Sequence, residues 1–242
     1  DIHGDFDQLY TLLTRLPPLD AEDTLVFLGD YVDRGPRSAD VITLIREELP
    51  KQCPAKIVAL RGNHEDAWLR VRGGGFDQFV VPPSNGALAC MRSYTGGPTP
   101  TDEEYAKPEE REALFSGAFF PEDVVEWMSA LPFFYEDEHA IYVHAGLPRH
   151  SSGRFLHPSE VTPPEILLWI RTEAFFLEYV GKRVVVGHTT TDCLPQELSR
   201  YTPADPTDLW AGEHVCALDT GCGKGGFLTA LELPSLRVFE SR

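Results

Sequence analysis

The sequence predicts an α/β fold whose chemistry lies on loops at the ends of strands. Two observations support this prediction. Short apolar runs, which are typical of buried strands, alternate with segments of helical periodicity. These apolar runs also end repeatedly in an aspartate, asparagine or histidine, and open α/β sheets bind their ligands beyond the carboxyl ends of strands.

The first quarter of the chain gives the clearest alternation of helices and strands. Apolar residues recur at helical spacing through residues 6–16, just before two prolines. Residues 24–28 and 55–60 are apolar runs that predict two buried strands. Between them, residues 38–49 predict a helix that Pro50 terminates. This strand–helix–strand order is typical of an α/β sheet.

Residues 73–120 interrupt this alternation. They contain three clusters of glycine and proline and one charged run, namely Gly73-Gly74-Gly75, Pro82-Pro83, Gly96-Gly97-Pro98 and residues 102–112. A connection of this length inside a compact domain is usually a functional cap or lid. The alternative is a solvated insertion that carries helices of its own.

The remaining half predicts a helix, a hairpin and further strands. Residues 121–131 have a helical pattern and begin with a proline, which suits a first helical turn. Residues 133–135 and 140–143 flank an acidic turn and predict a hairpin that leads to His144. A further strand is predicted to end at His188. The last three apolar runs predict antiparallel strands of a second sheet, at residues 215–218, 226–233 and 236–239.

Length, charge and cysteine content narrow the class of protein. No internal repeat or linker divides the sequence, so residues 1–242 are expected to form one domain. The formal net charge of −17 repels a phosphate backbone, which argues against a nucleic-acid partner. No apolar segment is long enough to cross a membrane, and no signal peptide is recognisable. Five cysteines without a C-x-x-C pair favour a reducing compartment and predict a cytoplasmic protein.

The densest group of candidate functional residues is the stretch 29–35, which reads Gly-Asp-Tyr-Val-Asp-Arg-Gly. Taken alone, an aspartate after a strand can equally be the N-cap of the next helix. Polar residues follow or flank five apolar runs, however: Asp1 and His3, Asp30 and Asp33, Asn63 and His64, His144, and His188. Oxygen and imidazole ligands without cysteine suit Mn, Fe or Zn better than Ca or a structural zinc site.

Five motifs occur in an order typical of one known family. They are Asp1-Ile2-His3-Gly4, Gly29-Asp30-Tyr31-Val32-Asp33-Arg34-Gly35, Gly62-Asn63-His64-Glu65, His144-Ala145-Gly146 and Gly187-His188-Thr189. In these motifs the chain resembles the calcineurin-like metallophosphoesterases, and within them the phosphoprotein phosphatase (PPP) family. Thr189 and Thr190 after His188 favour this branch over phosphodiesterases that end in Gly-His-x-His. The tail from Asp219-Thr220-Gly221 onward is similar to that of bacterial members.

The resemblance implies a β-sandwich of two mixed sheets flanked by α-helices, with metal ions between the strand-end loops. Residues 73–120 would then be a cap-like insertion of helices and loops. Family members carry a strand and a glycine directly before the Asp-x-His-Gly motif. A strand that precedes Asp1 is therefore expected.

The resemblance also implies a site for two divalent metal ions, with Mn as the expected metal and Fe, Zn or Mg as alternatives. Asp1, His3 and Asp30 would hold one ion. The other would be held by Asp30, Asn63, His144 and His188, so that Asp30 bridges the pair. Two such ions can share a water, lower its pKa and orient it for in-line attack on phosphorus.

Catalytic roles are carried over in the same way. His64 would be the general acid that protonates the leaving oxygen, and Asp33 would fix its tautomer and raise its pKa. Arg34 and Arg171 would clamp the phosphoryl oxygens, although only the short motif Trp169-Ile170-Arg171 supports the second of them. The expected substrate contacts are Arg34, Asn63, His64 and Arg171. The residues expected to be structural or exposed are Arg61, His139, His150, His157 and His214.

Three functions are compatible with these residues. The first is a metal-dependent phosphomonoesterase, specifically a monomeric bacterial-type serine/threonine protein phosphatase that acts on a phosphorylated protein, peptide or small phosphoester. The second is a symmetrical dinucleoside tetraphosphate hydrolase of the same family, against which the acidic run 102–112 argues. The third is a non-catalytic scaffold, which the complete set of site residues disfavours.

Overall fold

The computed structural model describes residues 1–101, 103–201 and 204–242. Its helices are α1 (Phe6–Arg15), α2 (Ser38–Thr43), α3 (Leu49–Gln52), α4 (Asn63–Arg72), α5 (Ala87–Thr95), α6 (Pro108–Ser116), α7 (Glu122–Ala130), α8 (Ile166–Trp169) and α9 (Glu173–Glu178). Its strands are β1 (Thr24–Phe27), β2 (Lys56–Ala59), β3 (Phe134–Glu136), β4 (Ile141–Val143), β5 (Val184–Val186), β6 (Trp210–Ala211), β7 (Val215–Ala217), β8 (Thr229–Glu232) and β9 (Arg237–Glu240).

The strands form three groups. Strands β1 and β2 pair in parallel, with Thr24 opposite Lys56 and Phe27 opposite Ala59. A five-stranded mixed sheet has the order β3-β4-β5-β7-β6, in which the three central strands are parallel and both edge strands are antiparallel to their neighbours. Strands β8 and β9 form an antiparallel hairpin. The predicted α/β architecture of mixed sheets and helices is confirmed.

Alternation along β5 explains how the layers pack. Val184 and Val186 lie in a core with helices α8 and α9, whereas Val185 faces the opposite way. On that second face, Val185 shares a core with residues of β2, including Val58. Because successive side chains of a strand point to opposite faces, the apolar run fills both layers. A larger core joins β1 to helices α1, α2, α4, α5 and α7.

Pro50 does not end the helix that precedes it, so that prediction was wrong. Helix α2 continues through a π-helical turn at Leu44–Glu48 into α3, which extends to Gln52. The π-helical turn changes the hydrogen-bond register and places Pro50 in the first turn of α3. A proline inside a helix removes one N–H donor and clashes with the carbonyl four residues earlier, and the wider π-helical turn lies where that disruption falls.

The predicted arrangement of the C-terminal strands was wrong in one respect. Strand β7 pairs in parallel with β5 inside the five-stranded sheet and does not join β8 and β9. Its three residues are all buried, whereas most of β8 and β9 is only half-buried. Apolar pattern alone does not separate these cases, and the two-residue partner β6 is too short to leave a periodic signal.

The insertion at 73–120 contributes to the core. In α5, residues 87–92 are all buried, and the helix packs against α2. The buried Arg92 guanidinium donates to Glu110 at 2.8 Å and to Glu104 at 2.6 Å, which ties α5 to the acidic run. Asp102, the first residue of that run, lies outside the described residues. Among the described helices, none is both long and apolar enough to span a membrane.

Candidate metal centre

The predicted ligands converge around one buried carboxylate. Asp30 follows β1, and its side chain lies 3.5 Å from His3 Nε2 and 3.5 Å from His144 Nε2. Asp1 Oδ2 is 3.7 Å from His3 Nε2, and Asp1 Oδ1 accepts a hydrogen bond from the backbone N–H of His188. Segments far apart in the sequence therefore meet where β1, β4 and β5 end.

The histidine tautomers direct several lone pairs at the shared carboxylate. Nδ1 of His3 must donate to the carbonyl of Val32, and Nδ1 of His144 must donate to that of Leu28, because a carbonyl only accepts. Each neutral ring then directs an Nε2 lone pair at Asp30, and His3 Nε2 has no hydrogen-bond partner. Burial lowers the pKa of His3 and His144, which keeps both rings neutral. Buried lone pairs that face one another repel, and a divalent cation between them would bind to them all.

Two groups of ligand atoms share Asp30. One contains His3, Asp30 and His64, and the other contains Asp30, His144 and His188, each with its atoms within 4.8 Å of one another. Asn63 adds its Oδ1 atom to the second group, at 2.9 Å from His144 Nε2 and 2.8 Å from His188 Nδ1. Each group could hold a metal ion, and Asp30 is the carboxylate that the two groups share.

Arg171 contacts His188 in this structure. Its Nε donates to His188 Nε2 at 2.9 Å, and Nη2 donates to the His188 carbonyl at 3.3 Å. His188 Nε2 is then the acceptor, so the ring proton is on Nδ1 beside Asn63. Burial, with the neighbouring histidines and Arg171, lowers the pKa of His188 to about 2. Cation binding through Nδ1 would shift that proton and release Arg171 from the ring.

His64 and Asp33 form the predicted pair. His64 Nδ1 lies 2.6 Å from Asp33 Oδ2, while Asp33 Oδ1 accepts from the Trp68 indole N–H at 2.8 Å. Burial opposes the charged imidazole, but Asp30 and Asp33 outweigh it and raise the pKa of His64. The ring therefore directs Nε2 into the cluster, where Arg34 Nη2 lies 3.4 Å away.

The backbone of this cluster is strained. Among the described residues, seven non-glycine residues have a positive φ, and five of them are His3, Asp30, Asp33, Arg34 and His188. A left-handed conformation costs an ordinary residue about 1–2 kcal/mol. Such strain tends to be stored at functional sites, where the surrounding structure holds it in place.

Glu65 holds part of this strain, a role the sequence analysis did not assign. Its fully buried carboxylate accepts four backbone N–H groups, from Asp30 (2.9 Å), Tyr31 (2.8 Å), Val32 (3.3 Å) and Gly62 (3.0 Å). Burial and then the charge of Asp30 raise its pKa to about 7. The signal for this role in the sequence is that Glu65 is an acidic residue of one of the five motifs and lies in the first turn of a helix.

Replacing Glu65 by glutamine is expected to destabilise the protein by about 1–3 kcal/mol, because the new amide directs a donor at two backbone N–H groups. It should also weaken Mn²⁺ binding, since Asp30 loses its backbone support. Urea denaturation and calorimetric titration measure the two effects. Glu126→Gln, on helix α7, is the matched control and should change neither quantity. An unaltered Mn²⁺ affinity in Glu65→Gln would refute the positioning role.

One further polar residue that follows a strand is Asp219, whereas Arg61 and the histidines outside the motifs have other contacts. Asp219 follows β7; its Oδ1 accepts from the Gly221 N–H at 3.1 Å, and its buried Oδ2 has no hydrogen-bond partner. Arg61 stacks on Phe133 and donates to a backbone carbonyl, as expected for a structural residue. The histidines outside the motifs contact other groups: His150 with Ser152, His157 with Glu136, His139 near Glu138 and His214 against Tyr179.

This fold and this ligand set define an α/β protein that can hold divalent cations at the strand ends. The family model for calcineurin-like phosphoesterases matches residues 1–215, and the chain belongs to that family. Family members use divalent metals, and the two ligand groups could bind them. The resemblance predicted from the five motifs is confirmed at the level of the family.

Several solved structures share the fold. A candidate diadenosine tetraphosphatase superposes with a TM-score of 0.58 at 22% identity, covering 99% of this chain and 89% of that one. The cold-active protein-tyrosine phosphatase of a psychrophilic Shewanella species superposes with a TM-score of 0.55 at 18% identity, covering 99% of this chain and 75% of that one. A protein serine/threonine phosphatase from Saccharomyces cerevisiae superposes with a TM-score of 0.50 at 15% identity, covering 95% of this chain and 69% of that one. At these identities the comparisons establish the fold that the chains share.

Proposed function

We propose that the protein is a dinuclear-metal phosphomonoesterase, specifically a serine/threonine protein phosphatase of the bacterial type. The observation that carries this proposal is the His64–Asp33 pair beside the shared carboxylate Asp30. The residues proposed to hold the two ions are Asp1, His3, Asp30, Asn63, His144 and His188. Bound there, the ions would supply a lowered pKa for water and charge stabilisation at phosphorus.

His64 is proposed to give its proton to the leaving oxygen. Asp33 holds Nδ1, so the proton available for transfer is the one on Nε2, which faces the cluster. Protonation of a leaving alkoxide matters most for poor leaving groups such as serine and threonine. Trp68 fixes the second oxygen of Asp33 and so keeps the carboxylate from rotating away.

Arg34 and Arg171 are proposed to orient the phosphoryl group. Both guanidinium groups border the cluster, and their recorded side-chain contacts are with His64 and His188. Arg34 Nε is buried without a hydrogen-bond partner, which fits a group that receives an anion. A planar fork binds two phosphoryl oxygens at once, which lysine does not do.

The second candidate is a symmetrical dinucleoside tetraphosphate hydrolase. The candidate diadenosine tetraphosphatase with a similar fold supports it. The acidic run argues against it less strongly than the sequence suggests, because Arg92 pairs with both Glu104 and Glu110 and offsets part of their charge. The fold shared with a tyrosine phosphatase adds phosphotyrosine to the substrates worth comparing.

A comparison of substrates tests the proposed function. Metal-loaded protein should turn over a phosphoserine peptide faster than diadenosine tetraphosphate, and Mn²⁺ should support at least as much activity as Fe²⁺, Zn²⁺ or Mg²⁺. The measurement is kcat/KM for phosphoserine and phosphotyrosine peptides, p-nitrophenyl phosphate and diadenosine tetraphosphate. A preference for the dinucleotide would replace the first candidate with the second. Inertness toward all four, with metal bound, would favour the non-catalytic scaffold.

Several further properties that the sequence suggests stay predictions. These are the cytoplasmic location, the monomeric state, the single domain over residues 1–242 and the lid role of residues 73–120. One contact supports the last of them: the Phe79 ring packs edge-on against His64, with centroids 5.1 Å apart. The backbone N–H of Arg34 also donates to Gly86 of the same segment, at 3.2 Å.

A further inference from the structure

The loop at residues 221–226 presents a lysine beside the metal centre. Four of its six residues are glycine, and the other two are Cys222 and Lys224. The Cys222 side chain is buried and its Sγ donates to the carbonyl of Ile2 at 3.4 Å. Lys224 is exposed, so it is the one long side chain that this loop offers to an incoming molecule.

The loop is fixed against the metal-site residue His3. A Cβ built on Gly223 would lie 2.5 Å from the Cβ of His3, so only glycine allows this approach. The backbone N–H groups of Lys224 and Gly226 both donate to the carbonyl of Gly221, at 2.9 and 3.0 Å. Lys224 is therefore held next to a predicted ligand by a short, internally bonded turn.

Lys224 lies within electrostatic reach of two further cations, Arg34 and Arg171. Its ammonium interacts electrostatically with Arg34 and Arg171, and with Asp219 and Asp30 on the opposing side. Within the described part of the chain, none of these three cations forms an ion pair with a carboxylate. Three cations kept together without such pairing favour a polyanionic ligand.

We propose that Lys224 binds a second phosphoryl group, linked to the one that Arg34 and Arg171 orient, so that the site accepts diphosphate and longer phosphate chains. The division of roles follows from the side chains. The guanidinium groups of Arg34 and Arg171 contact the cluster histidines His64 and His188, and such forks suit the oxygens of a single phosphoryl group. Lysine is a point charge on a long flexible stem, and Lys224 is exposed. This inference rests on the proposed function and names a substrate class for the same site.

Competition experiments test the inference. Inorganic phosphate and inorganic diphosphate are used as inhibitors of p-nitrophenyl phosphate hydrolysis by the metal-loaded protein. Loss of one charge-assisted contact is worth roughly tenfold or more in affinity. Lys224→Ala should therefore raise the Ki of diphosphate about tenfold. The fold-increase for diphosphate should be at least five times the fold-increase for phosphate. Lys224→Arg keeps the charge and should restore most of the diphosphate affinity.

A matched control and a second readout separate this inference from the proposed function. Lys51→Ala removes an exposed lysine of α3. Helix α3 precedes the amino end of β2, which is the edge of the sheet away from the site. This control should leave both inhibition constants unchanged. Calorimetric binding of diphosphate to metal-loaded wild type and Lys224→Ala gives the same comparison without turnover, so it holds even if no ester is hydrolysed. Equal weakening of phosphate and diphosphate, or no weakening of either, would overturn the inference.

Discussion

Replacing His64 by asparagine is expected to lower kcat by about 10²–10⁴-fold, the usual contribution of a positioned general acid. The effect should be larger for a phosphoserine peptide than for p-nitrophenyl phosphate, because p-nitrophenolate leaves readily without a proton. KM should change little, since Arg34 and Arg171 remain to orient the phosphoryl group. Steady-state kinetics with the two substrates give both comparisons.

The pH profile gives an independent readout of the same variant. Burial opposes protonation of His64, but Asp30 and Asp33 raise its pKa overall. An acid must carry its proton, so kcat of the wild type should fall as the pH rises through this pKa. That alkaline decline should be absent in His64→Asn. His150→Asn makes the same change at an exposed histidine and should behave as the wild type. Equal losses for both substrates would argue against an acid role.

Replacing Asp30 by asparagine is expected to abolish the response to metal ions. Asp30 belongs to both ligand groups, so its loss removes a charge from each. Mutation of a residue that merely supports a metal ligand already costs about 10–100-fold in affinity, and a shared ligand should cost more. Phosphatase activity should therefore become undetectable at Mn²⁺ concentrations that saturate the wild type.

Stability measurements separate this effect from misfolding. Metal at 100 times its Kd stabilises a folded protein by about 2.7 kcal/mol, and Asp30→Asn should gain far less. Urea denaturation without metal gives each protein its own baseline, so a change in the intrinsic stability of the variant is not mistaken for a lost metal response. Asp20→Asn, at an exposed residue, should keep the full metal response. An Asp30→Asn protein that Mn²⁺ stabilises as strongly as the wild type would contradict the shared-ligand role.

Part of the candidate metal centre could be proposed from the sequence because four of its residues follow strand ends. Asp30, Asn63, His144 and His188 follow apolar runs, and the sheet brings the ends of such runs together. The pairing of His64 with Asp33 depended on the family resemblance, since 31 residues separate them in sequence. No periodic pattern connects residues that far apart.

What the sequence did not predict depends on long-range geometry. Glu65 looks like an ordinary first-turn acid of α4, and its role appears only when the left-handed backbone of Asp30 packs against it. Lys224 gains significance from the approach of Gly223 to His3, across more than 200 residues of sequence. Helix α5 looked like part of a surface cap because glycine and proline surround it, yet the tertiary structure buries it.

The most direct test of the account is a titration of metal-free protein with Mn²⁺, followed by the initial rate of p-nitrophenyl phosphate hydrolysis. Two cations sharing Asp30 predict that activity rises with added metal and reaches its plateau at two equivalents per chain. A plateau at one equivalent would contradict the dinuclear centre. Absence of turnover in protein shown to contain two bound ions would contradict the phosphoesterase function itself.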